Sequence, residues 1–167
     1  MKKLSACIHL VVLTVAVLLS LSVAANAQGT RFAWVIASSA SALAVNGAKI
    51  TLTGSGTFIL GQPEKVTGGG TWQVVASNGT TITGHGTYVV TDLVRFELAP
   101  GAVSDPTIHA GLAQLRVRFS DGSGGILTVS CNLPGSSARI AEGISASKES
   151  VDYFNIVADV AFFKSLD

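Results

Sequence analysis

From Ile50 to Thr91 the chain alternates so regularly that only an extended backbone can use the pattern. The even positions run Leu52, Gly54, Gly56, Phe58 and Leu60, then Val66, Gly68, Gly70, Trp72, Val74 and Ala76, then Ile82, Gly84, Gly86, Tyr88 and Val90. All are apolar, aromatic or glycine. The odd positions are mostly polar, among them Thr51, Thr53, Ser55, Thr57, Thr67, Thr71, Gln73, Thr83, His85 and Thr87, with Ile59, Val75 and Val89 as exceptions near strand ends. A period of two, enriched in threonine and aromatic residues, predicts strands with one face inward. Within this stretch TGSGTF from Thr53 returns as TGGGTW from Thr67 and as TGHGTY from Thr83.

GQPEK from Gly61 and SNGT from Ser77 carry turn chemistry, so the three strands are expected to form an antiparallel meander. Pairing Leu60 with Val66 puts Gly54 opposite Trp72, Gly56 opposite Gly70 and Phe58 opposite Gly68. Pairing Ala76 with Ile82 puts Trp72 beside Gly86 and Tyr88 beside Gly70. The glycines then leave room for large rings on a curved inner face. Gly69, on the opposite parity, is expected to tolerate alanine.

Further strands follow. TRFAWVIAS from Thr30 reads as an opening strand. LVRFEL from Leu93 places Val94, Phe96 and Leu98 inward, before a long loop, APGAVSDPTIHAG. LAQLRVRF puts Ala113, Leu115, Val117 and Phe119 inside and Gln114, Arg116 and Arg118 outside. ILTVSCNL returns with Leu127, Val129, Cys131 and Leu133 on one face. The segment from Ala138 to Lys148 and the stretches VDYFN and DVAFFKSL also read as strands. The count of about eight or nine strands and no defined helix predicts an all-β fold. Its expected form is an antiparallel up-and-down β-barrel of the calycin kind, with a sandwich as the alternative.

The amino terminus has the layout of an export signal: Lys2 and Lys3, an apolar run to about Val23, then Ala25-Asn26-Ala27. Residues 1–27 are therefore expected to be a signal peptide and 28–167 a single domain, secreted or periplasmic, with no membrane span left after cleavage. Without Lys2 and Lys3 the domain has nine basic against ten acidic side chains, so no basic field is present to hold nucleic acid. Cys7 leaves with the signal. Cys131 remains alone, excluding an internal disulfide.

GGGTW followed by NGTTITGHGTY resembles the avidin and lipocalin hairpins, in which Gly-x-Trp opens a ligand-binding barrel. Trp72 lies deeper in the chain than that motif does, and no ligand residues carry over. A longer likeness is to an uncharacterised family of small secreted bacterial proteins. It rests on GGGTW, the strand LVRFE, the block HAGLAQLRVRFSDGSGGILTVSCNL, and the tail pieces EGISASK and VDYFN. That family carries no known reaction, so the resemblance implies nothing about activity.

The inventory for chemistry is short. His85 falls among outward threonines, where a solvated surface role is expected. His109 sits in the long loop, where it is expected at a pocket mouth. Glu142 shares parity with Ile140 and Ile144; pointing inward, it would need a partner. Cys131 alternates with Val129 and Leu133, which marks it as a small buried hydrophobe rather than a nucleophile. Asp121 reads as a turn former. No metal spacing is visible and no cofactor is required.

Three functions are compatible with this inventory. A barrel binding a small, largely apolar molecule would use Trp72, Tyr88 and Phe58. A structural or protein-interaction module of the envelope would use the threonine face or an edge strand. A cofactor-free enzyme on a hydrophobic substrate would draw on Glu142, His109 or Tyr153. The oligomeric state is open.

Overall fold

A computed structural model describes residues 29–157 and 160–167. The expected signal peptide, residues 1–27, lies outside the described residues. The strands are β1 (Arg31–Ala44), β2 (Lys49–Ile59), β3 (Gln62–Val75), β4 (Ile82–Leu98), β5 (Ile108–His109), β6 (Gly111–Phe119), β7 (Gly124–Cys131), β8 (Gly143–Lys148), β9 (Val151–Val157) and β10 (Ala161–Ser165). Every pairing is antiparallel. Running β1-β2-β3-β4-β6-β7-β8-β9 and back to β1, eight strands close in a ring. Closure removes most of the free edge an open sheet would leave.

The ring has one irregular seam. The same edge of β1 pairs with β10 along Phe32–Ile36 and with β9 along Ser41–Ala44, so β9 and β10 follow each other end to end. Below the junction β10 takes β5 as its other neighbour, Phe163 opposite His109. Above it β9 pairs with β8, Ala146 opposite Tyr153.

The inward face follows the alternation where the ladder is regular. Ala113, Leu115, Val117 and Phe119 of β6 are buried, as are Leu127, Val129 and Cys131 of β7. β4 departs from it. Register shifts between Val90 and Asp92 and between Leu93 and Arg95 insert extra residues. Each bulge turns the strand by one residue, so Val90, Leu93 and Phe96 face the core, while Val94 and Leu98 are exposed. The expected inward placing of Val94 and Leu98 is thereby corrected. The strand expected from Ala138 starts only at Gly143; residues before it form turns.

The register of the repeat was half anticipated. β3 and β4 pair as expected, with Trp72 opposite Gly86 and Tyr88 opposite Gly70. β2 and β3 are offset by two residues, putting Leu52 opposite Trp72 and Gly56 opposite Gly68. The cause is a tight β2–β3 turn, in which Ile59 pairs with Gln62 across Leu60 and Gly61. Parity survives and ring placement changes. Tyr88 covers Gly54, Trp34 covers Gly56 and Gly68, and Trp72 covers Gly84 and Gly86.

Candidate functional site

The centre of the ring is filled by aromatic side chains. Toward the β2–β3 turn, Phe32, Phe58 and Phe96 are in mutual contact, with centroids of Phe58 and Phe96 4.7 Å apart, and Phe163 packs on Phe96. Toward the opposite end Trp72 and Tyr88 both meet Phe119, at 5.5 and 6.1 Å. Their polar handles are satisfied inside the wall. Trp34 Nε1 donates to the Thr67 carbonyl, Trp72 Nε1 to that of Thr87, and the Tyr88 hydroxyl to that of Thr53. All three acceptors are threonines of the repeat. Burial raises the Tyr88 pKa far above the ordinary phenol value, so this hydroxyl stays a donor. Phe58, Trp72 and Tyr88, the residues expected to touch a ligand, are all buried in this packing.

The end of the ring that carries the β3–β4, β6–β7 and β8–β9 turns is closed by a cation. Lys148 is inward on β8, its Nζ 4.5 Å from the Trp72 ring centroid and 5.3 Å from that of Phe119. It binds Asp121 Oδ2 at 2.5 Å. Asp121 also accepts from the Ser123 amide and hydroxyl, so the expected turn former is also an ion-pair partner. Lys148 first and Ser123 next hold its carboxyl down at about 2. A hollow of about 150 Å³ remains beside them, lined in part by Trp72, Tyr153, Lys148 and Asp121. Lys148 was not singled out from sequence, although it shares parity with Ile144 and Ala146.

A larger apolar cleft opens at the seam. It measures about 430 Å³ and is lined by Ile108, Cys131, Asn132, Leu133, Glu142, Val160, Ala161 and Phe162. Glu142 braces it, with one carboxylate oxygen accepting from the Asn132 amide and the other from the Ala161 amide, at 2.8 Å. The partner this carboxylate needs is therefore backbone at the end of β7 and the start of β10. Cys131 is buried at the cleft wall. Burial, with the Glu142 charge adding to it, pushes its thiol up to about 11, which keeps it protonated and poorly nucleophilic.

Glu142, His109 and Tyr153 do not assemble into one site. Glu142 is at the seam cleft and Tyr153 at the Lys148 hollow. His109 Nε2 lies 3.1 Å from the Ser165 hydroxyl, and its ring meets Phe32 edge-on. Among the described residues no group of three or more His, Cys, Asp or Glu side chains is placed to hold a metal ion, and no helix is long and apolar enough to cross a membrane. No family model, curated protein or solved structure matches the chain.

Proposed function

We propose that this is an exported, secreted or periplasmic, bacterial binding protein that takes a small, largely apolar molecule. The occupied place is the seam cleft rather than the middle of the ring. One observation carries the reading: the interior is packed with rings, whereas an open apolar cleft of about 430 Å³ lies where β9 gives way to β10. That volume suits a compact ligand. Val160 and Phe162 offer apolar surface, and Asn132 and Glu142 supply a polar margin.

Two experiments test the proposal. Titrating isotope-labelled protein with 1-hexanol is expected to give saturable NMR shifts at Ile108, Leu133, Val160 and Phe162, weakened about tenfold or more in Val160→Asp. Shifts confined to Trp72 and Val74, or none that saturate, would overturn it. Amino-terminal sequencing of the exported form is expected to begin at Gln28. A mature protein retaining Lys2 and Lys3 would refute export by cleavage.

A further inference from the structure

The outer wall of a closed sheet is convex, so a hollow in it needs a local cause. One of about 520 Å³ lies on the outside of β4, β6 and β7, lined by Thr91, Arg116, Val117, Arg118 and the segment from Gly122 into β7 at Ile126. The bulge between Val90 and Asp92 displaces Thr91, whose hydroxyl donates to the Arg116 carbonyl at 3.3 Å. The second cause is Gly124, directly opposite Arg118.

Packing does not require a glycine at position 124. A Cβ there would meet only the Val117 carbonyl oxygen, at 3.9 Å, whereas one at the neighbouring Gly125 would strike the Ser147 carbonyl at 1.9 Å. A strand glycine without a steric reason costs stability relative to alanine. Its effect here is to leave open space below the Arg118 side chain.

Arg116 and Arg118 lie two residues apart on one face, which separates their origins by about 6–7 Å. Among the described residues Arg118 has no carboxylate within ion-pair distance, and Arg116 has only Asp92, at 3.9 Å. No carboxylate lines the hollow. Guanidinium groups recognise tetrahedral oxyanions through paired N–H donors.

We propose that this hollow is an oxyanion site, binding a small molecule whose phosphate or sulfate ester sits between Arg116 and Arg118 and whose apolar part rests on Ile126. The site is on the opposite surface of the wall from the ring interior and stands independently of the seam cleft.

The test is an NMR titration with phenyl phosphate at constant ionic strength, following the arginine Nε–H signals and the Gly122, Gly124 and Gly125 amides. Saturable shifts are expected at these groups, with binding about tenfold weaker in Arg118→Ala and in Gly124→Leu. The glycine variant fills the hollow without touching its charge, and its own spectrum reports whether the fold is kept. Shifts that grow without saturating, that spread equally over Arg31, Arg95 and Arg139, or that persist in a folded Gly124→Leu would overturn the site. A parallel arm uses phosphatidic acid vesicles. Pelleting that Gly124→Leu abolishes assigns the ester to a lipid headgroup, saturation by phenyl phosphate without pelleting assigns it to a free molecule, and pelleting unaffected by Gly124→Leu counts against the site.

Discussion

At Gly56 an added methyl would lie 2.0 Å from the Thr67 carbonyl oxygen and 2.7 Å from Trp34 Nε1. At Gly84 the only close neighbour is the edge of the Trp72 ring, at 2.9 Å. Gly69 belongs to the other parity, yet its Cβ would lie 2.3 Å from the Tyr88 carbonyl, so the expectation that it tolerates alanine is withdrawn. Strands cross so tightly here that both faces of β3 need glycine. Gly56→Ala and Gly69→Ala are each expected to destabilise by about 1–3 kcal/mol or more in urea melts. Gly124→Ala should be neutral or stabilising by up to about 1 kcal/mol. A neutral Gly69→Ala would show that β3 and β4 can separate more than their geometry implies. Cys131, 1 % exposed, acts as packing. Cys131→Val is expected to fold with a loss of order 1 kcal/mol, and the native thiol to resist a bulky labelling reagent; rapid labelling would contradict its burial.

Among the elements, the seam depends most on one side chain. Glu142 holds the end of β7 and the start of β10 through two backbone amides that have no strand partner on that side. Glu142→Ala removes the acceptor from both; water replaces it at the exposed Asn132 amide, while the part-buried Ala161 amide is left unsatisfied, at an expected cost of about 1–3 kcal/mol. Amide exchange at Asn132 and Ala161 should accelerate more than exchange at Leu115, in the middle of β6. Equal acceleration everywhere would mean that Glu142 acts on global stability rather than on the seam. The outer threonines make a different kind of contribution. Thr53 with Thr71, and Thr57 with Thr67, bond hydroxyl to hydroxyl across strands at 2.7 and 3.0 Å. Much of the threonine face thus spends its polarity on the sheet itself.

For the whole molecule, the end of the ring closed by Lys148 gives stability a defined acid dependence. The Asp121 carboxyl is lowered from 3.8 to about 2 in the folded chain. A depressed carboxylate pKa stabilises the fold above the unfolded value, and that contribution is lost as pH falls from about 4 through about 2. Asp121 is 40 % exposed, so solvent screening keeps the contribution below about 1 kcal/mol. Urea midpoints measured from pH 5 to pH 2 should fall less steeply in Asp121→Asn than in wild type, with the two curves converging at the acid end. Parallel curves would remove Asp121 from the acid response. Replacing Lys148 by methionine should flatten the same window while retaining contact with Trp72 and Phe119.

Period-two alternation, turn residues and the inward run Ala113 to Phe119 were legible in the sequence because each depends on neighbours within one strand or hairpin. They determined an all-β chain, the antiparallel order of its strands, and the burial of Cys131. Only the tertiary structure decided what depends on residues far apart. The bulges that turn Val94 outward answer to the curvature of closing a ring, and the two-residue offset of β2 on β3 answers to a turn and to Trp34 packing. Glu142 finds its partners just past the end of β7 and at the start of β10, which sequence cannot place side by side. Lys148 meets Asp121 only because the β6–β7 and β8–β9 turns share one end of the ring, 27 residues apart in the chain. Whether the ring is filled or hollow was settled by the volumes of the inner side chains of the ring strands and β10 summed in one space, a quantity no local pattern contains.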